Sequence, residues 1–393
     1  MVDKFGNRFL NKTQKPPVME VKSWLEKNEE NKLEIINLSQ AAPLSPPPKS
    51  LIKHLSKELS NTDSHLYGPV LGDYELRSKI ATDWSDEYES KIVSDNVAVT
   101  SGCNQAFCAA ISSIAATGDK IILPVPWYFN HEMWLSMQGI IPIPLPTNQN
   151  LLPCIKRAKA LIDNKVKAIV LVTPNNPTGV EYPDDLLKQF NGLAKENKIK
   201  LILDETYKNF RQGVGSPHSL FKKKWEGHLI HLYSFSKVYR LTGHRVGMLI
   251  ASRKLIQEIE KFLDTTSICP NRLGQKAALF GLHNLNTFVE HEKTKIENIK
   301  TIFTAGIKKI PGWTLLGIGG YFAYLSYKSR MNSTNLAKKL LYEQSILTIP
   351  GSMFFPREKN SFIKEKQSIR IAFANSTERE IKSVLERLSK FAL

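Results

Sequence analysis

AIVLVTPNNPTGVEYPDDLLKQFNGLAKENKIKLILDETY, residues 168–207, holds one complete unit of the fold. Its first apolar run, Ala168 to Thr173, carries no charge and stops at PNNPTG, Pro174 to Gly179, where prolines and a glycine punctuate the chain. A helix-length segment, Asp184 to Glu196, leads to a second apolar run, Lys200 to Leu203, which ends on the acids Asp204 and Glu205. Two continuous apolar strands joined by a helix form the pattern of parallel strands buried on both faces. Working outward, the same kind of run recurs at Val97 to Thr100, Lys120 to Leu123, Ile140 to Leu145 and Leu229 to Tyr233, with a helical segment at Asn104 to Ala116. The expected architecture is α/β: a three-layer αβα large domain with a mainly parallel sheet.

The flanks differ in texture. After about Arg272 a long helical pattern runs through residues 276–309. It gives way to Gly-punctuated strands, GIGGYFAYLSY at 317–327, and a last helix near 377–390. The N-terminal arm offers a helix from about Val18 to Glu29, an apolar run from Leu33 to Leu38, and the extended stretch SPPPKS, Ser45 to Ser50. The expected division is a large domain over 46–285 and a smaller α+β domain made from 1–45 and 286–393.

Composition sets the limits of function. The 393 residues are 42% hydrophobic and 23% charged, which fits a globular chain and excludes a disordered or collagen-like one. The cysteines Cys103, Cys108, Cys154 and Cys269 are scattered and form no C-x-x-C pair, so neither a disulfide scaffold nor a structural zinc site is expected. No stretch reaches the roughly 18 uncharged apolar residues of a membrane span, and the start MVDKFGNRFLNKTQKPP lacks an apolar signal region; a cytoplasmic protein is expected. Lys and Arg number 54 against 37 Asp and Glu, giving +17. These cations are mostly lysines spread along the chain, with short runs such as Lys222 to Lys224 and no aromatic-interleaved block. The excess therefore reads as a solvated basic surface, and no nucleic-acid partner is expected.

In an α/β sheet the ligand sits at the carboxyl ends of the strands. A dinucleotide fingerprint fails there, because Gly317, Gly319 and Gly320 are followed by Phe322 where the last glycine belongs, and no G-x-x-x-x-G-K-[ST] loop occurs. His131 and Glu132 begin like a zinc-protease helix, but Leu135 stands where the second His would be. No metal is expected, and His131 reads as a packing or hydrogen-bonding residue. Five strand-end or strand-borne clusters remain. Ser101, Gly102, Cys103 and Asn104 open a helix whose free N–H groups suit a phosphate. Asn176 is fixed within the Pro- and Gly-bounded loop. Asp204 closes an apolar strand and requires a partner, with Thr206 and Tyr207 just beyond it. Ser234, Lys237 and Arg245 follow another strand, and Arg370 lies alone in the apolar run SIRIAF. A lysine that can form a Schiff base, a carboxylate for a ring nitrogen, and an arginine with backbone donors for a phosphate meet the requirements of pyridoxal 5′-phosphate.

LYGPVLGDYELR (66–77), VTSGCNQAF (99–107), PVPWYFN (124–130), VTPNNPTG (172–179), LDETY (203–207), SFSKVYRLTGHRVG (234–247), GGYFAY (319–324), LTIPGSMF (347–354) and SIRIAFA (368–374) occur in that order. As an ordered set they resemble the class I/II aminotransferases, fold type I enzymes that use pyridoxal phosphate, over about residues 33 to 390. The resemblance implies that Lys237 holds the cofactor as a Schiff base and moves the substrate proton. It implies that Asp204 pairs with the ring N–H, that Tyr207 and Asn176 face the ring hydroxyl, and that Tyr128 stacks on the ring. Gly102, Cys103, Asn104, Ser234 and Arg245 would hold the phosphate. Tyr67 would reach the phosphate of a neighbouring subunit in a homodimer with shared active sites, and Arg370 would bind the substrate carboxylate. Three positions depart from the family: Ala41 in LSQAAP where a Gly is usual beside the substrate, Tyr128 where Trp or Phe is common, and Cys103 with Asn104 in the phosphate cup. No second arginine is assignable to a dicarboxylate side chain. The implied activity is amino transfer from an L-amino acid to a 2-oxo acid, with a β-lyase, decarboxylase or amino-acid oxidase on the same fold as the alternative.

Overall fold

A computed structural model describes residues 6–27, 33–356, 365 and 367–393. The large sheet contains β1 (Val97–Thr100), β2 (Lys120–Val125), β3 (Ile141–Pro146), β4 (Val166–Val172), β5 (Lys200–Asp204), β6 (Leu229–Ser234) and β7 (Gly247–Ile250). Their order across the sheet is β3-β2-β4-β5-β6-β7-β1, and every pairing is parallel except those of β7, which runs antiparallel to both β6 and β1. Alternate residues of one strand enter different cores: Leu201 and Leu203 pack with Trp84 and Phe190 on one face, Ile202 with Phe107 and Leu249 on the other. That two-sided burial is why the strands read as unbroken apolar runs. β3 tolerates Pro142, Pro144 and Pro146 because it is the edge strand, pairing only with β2.

The helices that position the site are α1 (Tyr74–Glu87), α2 (Cys103–Ser112), α3 (Phe129–Met137) and α4 (Asp184–Glu196). α2 stops at Ser112, short of the expected Ala116; the Ser113 hydroxyl donates to the Ala109 carbonyl at 2.7 Å and closes the last turn. The long helix expected over 276–309 is two, α5 (Arg272–Asn284) and α6 (Asn286–Ile307). They break at Leu285, which turns into the large core, while Asn284 Nδ2 donates to the Phe280 carbonyl at 3.0 Å. α6 begins at the large core through Val289 and ends in a second core through Ile296, Ile299, Phe303 and Ile307.

That second core lies under a four-stranded antiparallel sheet of β8 (Trp313–Gly319), β9 (Phe322–Tyr327), β10 (Ile349–Pro350) and β11 (Ser368–Ala372), in the order β10-β11-β9-β8, and is covered by α7 (Glu378–Lys390). Ile36 and Leu38 of the N-terminal segment join the same cluster. The arm helix is shorter than the span Val18 to Glu29: it covers Pro17–Lys22, followed by a 3-10 turn at Leu25–Lys27, and Asn28 and Glu29 lie outside the described residues. Val21 and Trp24 pack with Phe354 and Phe129, which ties the arm to both lobes.

Candidate active site

A cavity of about 260 Å³ opens at the carboxyl ends of β4, β5 and β6. Of the residues singled out from sequence, Cys103, Asn104, Tyr128, Asn176, Asp204, Tyr207, Ser234, Lys237 and Arg245 line it. Gly102 supports it from the N-cap of α2. Its φ of +85° suits a residue without a side chain, and a Cβ there would lie 2.2 Å from Arg245 Nη2. Ala41 does not line the cavity. It packs in the small-lobe core, and its neighbours Gln40 and Ala42 face the cavity instead. Tyr67 lies outside, 79% exposed.

Asp204 ends β5 on the same side of the sheet as Ile202 and is buried. Its Oδ1 accepts the Thr206 N–H at 3.0 Å, and its Oδ2 lies 3.4 Å from His131 Nε2 on α3. Burial pushes this carboxyl up, but His131 and Thr206 together outweigh it and hold Asp204 below the usual carboxylate range, so it is an anion at neutral pH. His131 is held in turn by Phe107, stacked at 4.0 Å. His131 and Thr206 are the residues sequence reasoning left without a role in the site. Thr206 lay within a singled-out cluster, whereas a single histidine 73 positions upstream of Asp204 gives no spacing signal.

Lys237 sits in the short turn Phe235–Val238 that follows β6. Burial first, then the charges of Arg245 and Arg370, lower its ammonium to about 8. Roughly a tenth of it is then the free amine at pH 7. The Ser234 hydroxyl accepts the Ser236 N–H at 3.3 Å and caps that turn. Arg245 is anchored by donation from Nη1 to the Thr242 carbonyl at 3.0 Å and from Nη2 to the Ser101 carbonyl at 3.4 Å, which aims it beside the start of α2. Burial raises the Cys103 thiol and the Tyr128 and Tyr207 phenols, so all three are neutral near pH 7.

Arg370, on β11 of the small lobe, is 2% exposed. Its Nη1 donates to Asn176 Oδ1 at 2.8 Å, Nη2 donates to the Ser39 carbonyl, and Nε has no partner among the described residues. The guanidinium lies between the rings of Phe322 and Phe354, 5.1 and 5.3 Å from their centroids. Burial brings it down to about 10, which still leaves it charged. No carboxylate lies within ion-pair distance among the described residues, so this buried cation is incompletely matched.

The loop and the small lobe meet through glycine. A Cβ on Gly179, whose φ is +75°, would lie 2.4 Å from the Gly319 amide nitrogen, and this close backbone approach puts Asn176 of one lobe against Arg370 of the other.

The family model "Aminotransferase class I and II" matches residues 34–388. The aspartate aminotransferase of Thermotoga maritima is 29% identical over 365 residues, covering 91% of each chain. A Methanocaldococcus jannaschii protein named (5-formylfuran-3-yl)methyl phosphate transaminase is 27% identical over 381 residues, covering 95% of this chain and 96% of its own. Among solved structures, an aspartate aminotransferase from Thermus thermophilus superposes with a TM-score of 0.87 over 98% of both chains. At 21% identity it establishes the common fold.

Proposed function

The chain belongs to the class I and II aminotransferases, and from that premise we propose how its own residues hold the cofactor and carry out amino transfer between an L-amino acid and a 2-oxo acid. Pyridoxal 5′-phosphate suits the donor set. A buried carboxylate is kept anionic at one side of the cavity, a lysine is lowered to about 8, and a helix start is left open by Gly102 beside Arg245. When bound, that cofactor supplies an aldehyde that captures amines and a ring that takes up the electrons of a broken Cα–H bond.

Asp204 acts as the acceptor for the ring N–H, and His131 and Thr206 preserve its negative charge. The N–H groups of Cys103 and Asn104, the Ser234 hydroxyl and the Arg245 guanidinium take the phosphate, while Gly102, whose own N–H goes to the Thr100 carbonyl, leaves the space for it. Tyr207 and Asn176 face the ring oxygen, and Tyr128 covers the ring. Lys237 Nζ would take the proton from the substrate Cα and hold it for return, a task suited to an amine lowered toward neutral pH. Arg370, which reaches the cavity through its bond to Asn176 and keeps a donor without a partner among the described residues, binds the substrate carboxylate, and Ala41 acts indirectly, by seating Gln40 and Ala42. In a homodimer, exposed Tyr67 completes the neighbouring phosphate site. We place the enzyme in the cytoplasm, and we divide the chain at 46–285 against 1–45 with 286–393. No described helix is long and apolar enough to cross a membrane.

The observation that carries this reading is the buried, incompletely matched Arg370 beside a cavity that holds both Asp204 and a lowered Lys237. The test is a half-reaction. Protein loaded with pyridoxal phosphate is mixed with single amino acids, aspartate among them because relatives bear that name. The expected result is conversion of the cofactor to its amine form and recovery on adding a 2-oxo acid. Multiple turnovers that release ammonia with no acceptor would refute it.

A further inference from the structure

The large domain carries a second concave site at the opposite end of the same strands. A groove of about 940 Å³ lies at the amino ends of β5 and β6, beside Ile199 and His228. Asp204 and Ser234 close those strands at the other end, so about 16–20 Å of strand separates the groove from the active-site cavity.

Six exposed lysines line it: Lys195 and Lys198 at and just past the end of α4, Lys222, Lys223 and Lys224 in the segment before β6, and Lys91. Glu89 and Glu226 are the opposing charges in the lining, and Glu89 is already tied to Lys222 at 2.7 Å. Among the described residues the other five lysines have no carboxylate within ion-pair distance. Burial and then Lys195 and Lys200 lower the basicity of His228, which lines the groove. Gathering like charges in one concavity is unfavourable without a polyanion to neutralise them.

The lining also limits which polyanion. It contains no arginine, so planar two-pronged recognition of carboxylates or guanine is missing, and lysine ammoniums act as point charges suited to phosphate oxygens. Its aromatic residues, Phe221 and Trp225, are 1% and 4% exposed and offer no face on which a base could stack. We propose that this lysine groove binds an extended inorganic polyphosphate chain, independently of the transaminase site.

The test uses the full-length, cofactor-loaded enzyme and a fluorescently end-labelled polyphosphate chain followed by anisotropy. Saturable binding is expected to weaken about 100-fold between about 50 and 200 mM salt, if five lysines each meet a phosphate and the coefficient for single strands applies. Lys223→Glu with Lys224→Glu should weaken it at least about 10-fold with the transaminase rate unchanged. Lys195→Glu with Lys198→Glu provides the same test from a separate segment, should the first variant fail to fold. The proposal is overturned by no saturable binding at low salt, by charge-reversed variants that bind like the parent, or by a single-stranded oligonucleotide of equal phosphate number binding as tightly. The last outcome would make the groove a nucleic-acid site.

Discussion

At the scale of single residues, the lone arginine of SIRIAF, Arg370, is buried and has no carboxylate within ion-pair distance among the described residues. Arg370→Lys keeps the charge but loses the planar pair of donors and the contact with both flanking rings. It should raise KM for the amino acid about 10- to 100-fold, the worth of one charge-assisted hydrogen bond, and leave cofactor uptake intact; steady-state kinetics and a cofactor titration check the two halves. The residues legible from sequence were those whose chemistry is costly in an apolar setting, such as Asp204 and Arg370. What stayed hidden was pairing between distant elements: His131 became a partner of Asp204 only when α3 was laid beside β5. Ala41 stands one position away from the cavity-facing Gln40 and Ala42, because sequence does not fix which of these three neighbours turn toward the cavity.

At the scale of elements, the unit quoted at the outset was legible because both of its strands are buried on two faces and its helix is bounded by Pro183 and Asn197. The break at Leu285 was not, since nothing in HNLN forbids helix; tertiary packing of Leu285 into the large core decides it. β7 was passed over because its four residues follow directly on the SFSKVYRLTGHR motif. The glycine contact between the loop after β4 and the β8–β9 hairpin gives a prediction at this scale. Gly179→Ala would put a Cβ against backbone at a positive φ and should cost about 1–3 kcal/mol. Gly192→Ala, in α4 with nothing within 4 Å of its Cβ, should be neutral or gain about 0.5–1 kcal/mol. Denaturant melts of the pair check the contrast; equal stability would mean that the lobes do not approach there.

For the whole molecule, protonation and stability are linked through histidines that folding takes wholly or partly out of water. His228, His231 and His244 are each lowered from 6.5, by burial first, so the unfolded chain takes up protons before the folded one as pH falls through 6.5. Their contribution favours folding above that pH and turns against it below. The lowered carboxyls Asp204 and Glu205 act in the same direction only near and below their own unfolded range, while Glu181 and Glu365, which are raised, take up protons in the fold above theirs and offset part of the histidine effect. Tm should therefore be lower at about pH 5.5 than at about pH 7.5; a flat profile would mean that the histidines stay hydrated. The overall charge of +17 also acquires a distribution, with part of it gathered in one groove rather than spread evenly. The central claim, that Lys237 is the amine through which this enzyme works, is tested most directly by borohydride reduction of the cofactor-loaded protein followed by peptide mass spectrometry. The account predicts the cofactor's mass on the peptide carrying Lys237 and its loss in Lys237→Ala. A label on another lysine, or none, would contradict it.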